Sequence, residues 1–449
     1  MRSHFFQRPF VLLLFLICGA SVRNAAAQAP GSYQLTLQEA IQLGLKANLS
    51  VLAAEARVGE AQGTYSRRLS AAFLPRVTAQ TYANLHNLNL QAFGLEAPGV
   101  PQVIGPLSNY DIRFYAQQNV LDLGARHEWK AGEQSLEASR QSYADARDMV
   151  VGAVAELYLN ALSAAARTAA AQSRVNDAEA LWKLARDRHD AGEATGVDVL
   201  RAEVELANEK QGLLVAQNQY EQAILVLARN LGLRPGTSIT LTDKLRFQPL
   251  VAADSDSLVS SALAARSDYL SLSSQRRALV EEQAANHARY YPKVSVNGNF
   301  GGIGRSIGSI QGTGLIQGQI DFTLFDRDRE GAAQELTSRI KGIDDQMADA
   351  RRAIEQDVRE ALLNLESAAK QVSVAREGQD LARRELDLTQ DRFAQGTANN
   401  VEVVTAQDEL ARAQENYIVA VANHEDAKFA LARALGDTEK NITEFERRQ

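Results

Sequence analysis

Six histidines, a glycine-rich octapeptide, three methionines and one cysteine are the residues of this chain whose types could carry chemistry. His4, His86, His127, His189, His287 and His424 are scattered, and no His-Glu-x-x-His pair occurs to place zinc beside a general base on one helix face. The run "GGIGRSIG", Gly301 to Gly308, imitates a dinucleotide loop and follows strand-like alternation. Its continuation, "SIQGTGLIQGQIDF", leads into another strand pattern and offers no helix N-terminus for a pyrophosphate. The octapeptide is therefore read as a flexible loop. Three methionines, Met1 included, give no thioether ladder for copper. The expectation is a protein that is not an enzyme and holds neither cofactor nor metal.

The elements that would position any site begin after a leader. Arg2 and Arg8 precede the apolar run "FVLLLFLICGA", and small residues follow through Ala27, the pattern of a secretory signal peptide over residues 1–27. Cys18 lies inside it and is expected to leave with it. Lipidation of Cys18 is the alternative, against which Ile17 stands where a small residue is wanted. The formal net charge of −7 becomes more negative once Arg2, Arg8 and Arg23 are removed, which argues against nucleic-acid binding. After the leader there is no apolar run of about 18 residues, so a membrane could be crossed only by strands.

The chain repeats itself. At an offset of 204, residues 187–232 match residues 391–436 without a gap at nineteen of forty-six positions, including Arg188/Arg392, Gly192/Gly396 and Gly232/Gly436. Upstream, "FLPRV" at Phe73 meets "YYPKV" at Tyr290 at an offset of 217, so the first copy carries a longer loop. The copies span about 36–232 and 256–436, with an equatorial segment at 233–255 and a tail at 437–449.

Within each copy the order is helix, strand pair, long helix, turn, helix. Thr36 with Glu39 spells a capping box for a helix running to about Ala72, and its partner runs from about Asp256 to Arg289. Pro75 and Pro292 end these helices, and period-two writing follows within about 75–120 and 292–325. Ile112 and Phe114 alternate with Asp111, Arg113 and Gln117, and Ile320, Phe322 and Leu324 with Gln319, Asp321 and Thr323. The long helices, near 128–189 and 329–394, would reach on the order of 95 to 100 Å. The helix after each turn repeats its apolar residues at spacing seven, as in Ala202, Leu206, Leu213, Ala216, Tyr220 and Leu227, a coiled-coil seam that His424 interrupts in the second copy. The helix after the first turn, about Val197 to Leu231, and the next one, about Asp256 to Arg289, stacked end to end would match one long helix, with the equatorial segment between them as a waist.

Four amphipathic strands cannot stand as an open sheet in lipid. Two chains give eight strands, a barrel that side chains fill, whereas three give twelve and a water-filled lumen. The expected fold is mostly α, with tandem-duplicated long helical hairpins forming an α-barrel and four strands per chain closing as a 12-stranded β-barrel in a homotrimer. Asp111, Arg113, Gln117 and Asp321 would face the lumen, and Ile112, Phe114, Ile320 and Phe322 outer-membrane lipid. A soluble periplasmic coiled-coil adaptor or scaffold is the competing reading, and the apolar strand faces speak against it.

The duplicated "R-x-x-x-G-x-x-x-x-V-[DE]-V", Arg188 to Val199 and Arg392 to Val403, each followed by a heptad helix and "LAR-x-LG", together with "LP-x-V" at Leu74, resembles the outer-membrane efflux family typified by TolC. The resemblance implies the outer-membrane channel of a tripartite efflux or type I secretion system, working with a periplasmic adaptor and an inner-membrane pump. It places adaptor-contact tips at Ala191, Gly192 and Glu193 and at Gln395, Gly396 and Thr397, and a periplasmic constriction at Asp198 and Glu402. The chain departs from the family where Thr405, Ala398 and Phe393 stand in place of an acid, a base and an aromatic hydroxyl. From the residues alone, Asp198 and Glu402 read as first-turn acids that offset the helix dipole.

Overall fold

The computed structural model describes residues 33–95, 98–234, 236–250, 254–436 and 438–447, with side chains through Ile442. The leader, Cys18 and the last residues of the tail lie outside that set. In chain order the elements are β1 (Tyr33–Leu35), α1 (Leu37–Ala47), α2 (Leu49–Phe73), β2 (Arg76–Asn89), β3 (Val103–Leu121), α3 (Leu123–Asp190) and α4 (Gly196–Asn230). Then come β4 (Ile239–Leu241), α5 (Ser255–Ala265), α6 (Ser267–Ala288), β5 (Lys293–Gly304), β6 (Gln311–Asp321), α7 (Asp328–Ala394), α8 (Asn400–Leu435) and α9 (Thr438–Arg447).

Helices α3 and α7 hold 68 and 67 residues, about 100 Å each. No isolated helix of that length would be stable without flanking contacts, and each has them. Beside α3 lie α4 toward one end and α1 with α2 toward the other; between α3 and α7 lie α8 and then α5 with α6. The protomer is thus an arc of four rods whose outer members are the α4/α1/α2 rod and α7. Short helices do stack end to end, but α4 meets α1 and α8 meets α5, so the helix near 197–231 does not stack on the one that follows it in sequence, near 256–289. Gly232, at φ +68 after α4, abuts the end of α1, where a Cβ on it would lie 2.5 Å from Ala47 Cβ. Gly436, at φ +78 after α8, abuts the end of α5 at Arg266 in the same way.

Two predicted helices are each divided. The stretch from Thr36 opens with the expected capping box, Glu39 N to Thr36 Oγ1 at 3.2 Å and Thr36 N to Glu39 Oε2 at 3.1 Å. It breaks at Asn48, which is extended and whose Oδ1 accepts from Ser50 N at 2.8 Å, starting α2. The second copy breaks at Arg266, likewise extended, where the side chain pairs with Asp268 at 2.7 Å and Asp357 at 2.7 Å. Each break leaves an 11-residue segment, α1 or α5, at the waist.

The waist also holds what period counting could not find, a parallel pair of three-residue strands, β1 with β4, in register Tyr33 to Ile239. Tyr158 of α3, fully buried, sets its hydroxyl 2.9 Å from Leu35 O and 2.6 Å from Asp243 Oδ2. His424 breaks the heptad seam because it faces the waist. It is buried edge-on against the Phe247 ring at 4.7 Å, with Nδ1 3.3 Å from Glu425 Oε1.

The remaining strands form one antiparallel sheet in the order β2-β3-β5-β6. Its register aligns Ala79, Phe114, Phe300 and Gly314 across all four strands, and Gln117 with Asn297 and Gln317 on the other face. The glycine octapeptide is not a loop throughout: Gly301–Gly304 complete β5, and Gly302 pairs with Ile112 and Gly312. The strand around Phe322 and Leu324 ends earlier than the alternation predicts. Its partner begins at Lys293 after Pro292, which has no N–H to donate, so the ladder closes at Lys293 and Asp321.

Candidate functional site

Two regions carry the residues singled out by the sequence, the hairpin tips and the polar sheet face. At the tips the duplicated glycines end α3 and α7 in one way. Gly192 takes φ +80 and Gly396 φ +75, conformations that cost a side-chain-bearing residue steric strain. Glu193 N donates to Arg188 O at 2.8 Å and Gly192 N to His189 O at 2.9 Å; Thr397 N to Arg392 O at 2.8 Å and Gly396 N to Phe393 O at 3.0 Å repeat the pattern. This is the Schellman closure of a helix C-terminus, written twice. Ala191, Gly192, Glu193, Gln395, Gly396 and Thr397 are all exposed.

The next helices begin on capping boxes, and the two candidate constriction acids are their third residues. Asp198 Oδ2 accepts from the Thr195 hydroxyl at 2.6 Å and from Thr195 N at 3.1 Å. Glu402 Oε1 accepts from Asn399 N at 3.3 Å while Asn399 Oδ1 accepts from Glu402 N at 3.1 Å. The Thr195 hydroxyl, with help from the Thr195 N–H, Arg201 and Arg188, holds the Asp198 carboxyl below its ordinary value. Glu402 has a basic partner despite Ala398: Arg392 Nη1 lies 3.3 Å from Glu402 Oε2. Helix starting is thus a role both acids perform inside one chain.

The tips are also tied to each other, which sequence spacing did not signal. Arg188 Nη1 donates to the Phe393 carbonyl, its guanidinium lies 5.1 Å over the Phe393 ring, and Glu193 Oε2 sits 3.7 Å from Arg188 Nε. From the other side, Asn400 Nδ2 donates to Asp198 O at 3.0 Å. The duplication of Arg188 as Arg392 is the one clue, yet the two copies do different work.

On the sheet, Asp111, Arg113, Gln117 and Asp321 occupy one face, together with Asn297, Gln317 and Gln319. The opposite face carries Ile112, Phe114, Phe300, Ile316 and Ile320, all exposed, Ile316 at 86%. Asp111 itself is only 1% exposed because Tyr82 and Arg113 cover it. Phe322 lies beyond β6 and outside this register. Among the described residues no three His, Cys, Asp or Glu side chains converge on a metal-sized site. Part of α3 is apolar enough by composition to cross a membrane, but 56% of that window is packed within the protomer.

The sequence model of a family described as "Outer membrane efflux protein" matches residues 40–233 and 258–437. The pyoverdine export outer membrane protein OpmQ of Pseudomonas aeruginosa is 24% identical over 416 residues, 89% of this chain and 85% of its own. The toluene efflux pump outer membrane protein TtgF of Pseudomonas putida is 24% identical over 344 residues, 75% of this chain and 69% of its own. The crystal structure of the outer membrane protein VceC of Vibrio cholerae superposes with a TM-score of 0.71 at 18% identity, covering 89% of this chain and 96% of that one, a likeness of fold. With two matched segments that coincide with the two internal copies, the chain belongs to the outer membrane efflux protein family.

Proposed function

We propose that the protein is the outer-membrane duct of a tripartite export system, closed from three copies and passing solutes from a periplasmic adaptor and inner-membrane pump to the exterior. The observation that carries this reading is a sheet with one apolar and one polar face whose edge strands, β2 and β6, are left open within the chain. Lipid does not tolerate unpaired backbone groups, so β6 of one copy closes on β2 of the next. Twelve strands leave a lumen where eight would not.

The helices support the same head-to-tail closure. Leu200, Val204, Leu214 and Leu225 lie exposed on α4, at one edge of the arc, and Leu363, Val374, Leu381 and Leu388 on α7, at the other. Such stripes on opposite edges of one protomer suit a ring built from repeated heterologous contacts. In that ring the exposed tips face the adaptor, and Asp198 and Glu402 stand at the periplasmic entrance. Mass measurement of the detergent-solubilised protein tests the closure: a trimer is expected, and a monomer that stays soluble without detergent contradicts it.

A further inference from the structure

Near the hairpin end of the sheet, three side chains on the polar face form a fixed unit. Arg113 Nε donates to Asp111 Oδ1 at 2.8 Å, Arg113 Nη2 lies 2.6 Å from Asp111 Oδ2, and the Tyr82 hydroxyl donates to the same Oδ2 at 2.8 Å. The carboxylate is consumed by these bonds and covered, 1% exposed, while the Arg113 side chain remains 22% exposed. Gly301 stands directly opposite Arg113 on β5. A Cβ there would lie 2.0 Å from Ile112 O, 2.6 Å from Arg113 Cα and 2.9 Å from Arg113 Cγ, so only glycine admits this close approach.

The chemistry is asymmetric. Asp111 takes the Nε–Nη2 edge of the guanidinium, and the Nη1–Nη2 edge has no hydrogen bond among the described contacts. A guanidinium edge of two parallel N–H donors matches a carboxylate bidentately, and one already held in place loses little freedom when it binds. A buried carboxylate beneath an accessible guanidinium turns a neutral pair into a wall with its positive end toward the polar side. Beyond this unit the face carries the amides Gln117, Asn297, Gln317 and Gln319, and at its far end Lys293 stands opposite Asp321.

We propose that Arg113, braced by Asp111 and Tyr82 over Gly301, is a specificity-determining contact of the duct wall that favours passage of carboxylate-bearing solutes. This rests on the duct reading, because the polar sheet face is a lumen wall only once copies close around it.

The test uses the full-length protein reconstituted in planar bilayers, with reversal potentials in a potassium chloride gradient and current block by citrate as readouts. Arg113→Gln is expected to move the reversal potential toward potassium and to weaken citrate block about tenfold, the loss of a charge-assisted bidentate contact. Arg113→Lys is expected to keep the reversal potential and lose the block, since an ammonium keeps the charge but not the fork. Asp111→Asn, which leaves Arg113 uncompensated, is expected to move the reversal potential toward chloride, and serves where Arg113→Gln does not assemble. Conducting channels in which these variants match the parent in both readouts overturn this inference alone. A parent protein that stays soluble and monomeric without detergent and never yields a channel overturns the duct reading and this inference with it.

Discussion

Arg188, in the last turn of α3, donates a hydrogen bond to the carbonyl of Phe393, in the last turn of α7, and spreads its guanidinium 5.1 Å above that ring. One side chain thereby joins the ends of the two longest helices, and Asn400 returns the link by donating to Asp198 O at 3.0 Å. In the proposed duct, any widening of the tips that separates the two hairpins of a protomer must break both contacts.

Removing that clasp loosens the tip. Arg188→Ala gives up a charge-assisted hydrogen bond of about 1.5–3 kcal/mol together with its ring contact. The expected outcome is a higher open probability in single-channel recordings, with the melting temperature of the whole protein little changed. Arg188→Lys is expected to resemble Ala more than the parent, because an ammonium cannot both stack on Phe393 and reach its carbonyl.

Glu402 is screened by its own neighbour. Arg392 lies 3.3 Å away, and both side chains are substantially exposed, so the pair adds only about 0.2–1 kcal/mol to stability. In the proposed duct its weight falls on the field at the periplasmic entrance. Arg392→Ala is expected to raise cation preference in reversal-potential measurements and Glu402→Ala to lower it.

Acid acts on the first turn of α4. The Asp198 carboxyl is held below its ordinary value chiefly by the Thr195 hydroxyl. Its stabilising contribution is therefore complete above the unfolded value, about 3.9, and is lost as pH falls through the lower folded value. Thr195→Ala is expected to move that loss upward in pH, read as earlier amide exchange of residues 196–200 in an acid titration. Asp426 has the opposite sign. Burial, followed by Glu156, pushes its carboxyl up, so the charged form is disfavoured at neutral pH and stability is gained as pH falls through the raised value. Asp426→Asn is expected to raise the melting temperature at pH 7 and to have less effect near pH 4.

The duplicated capping glycines differ in what surrounds them. Gly232→Ala adds left-handed backbone strain of about 1–2 kcal/mol to a collision with Ala47, 2.5 Å from the new Cβ. Gly192→Ala carries the strain alone, since nothing lies within 4 Å. Thermal unfolding is expected to show the larger loss at Gly232, with Gly192→Ala confined to local fraying.

These contrasts mark what the sequence made legible. Local rules reported themselves: the Thr36 and Glu39 capping box, the Gly192 and Gly396 turns, and the alternation that sorts Ile112 from Asp111 all depend on neighbours a few residues away. The breaks at Asn48 and Arg266 did not: each has a partner two residues on, Ser50 or Asp268, but what packs against them, the helix ends at Gly232 and Gly436, is distant in sequence. Strands β1 and β4 are three residues each, too short for any period. The Arg188 clasp spans 205 residues and the covering of Asp111 by Tyr82 spans 29, distances over which spacing carries no signal. The mostly helical, duplicated fold and the two faces of the sheet were readable; the stacking partners of the short helices and the partners of each candidate side chain were not.

As a member of an outer-membrane family, the protein resides in the outer membrane and extends into the periplasm. In the proposed duct, insertion depends on the apolar sheet face, where Phe114 and Phe300 lie directly opposite one another. Phe300→Lys is expected to cost up to about 2–4 kcal/mol at bilayer mid-depth and to deplete the protein from purified outer membranes.

The most direct measurement is single-channel conductance of the detergent-purified full-length protein in a planar bilayer. Discrete current steps from a trimeric species are expected of a duct. A protein that remains soluble and monomeric without detergent, and never yields a step, would contradict it.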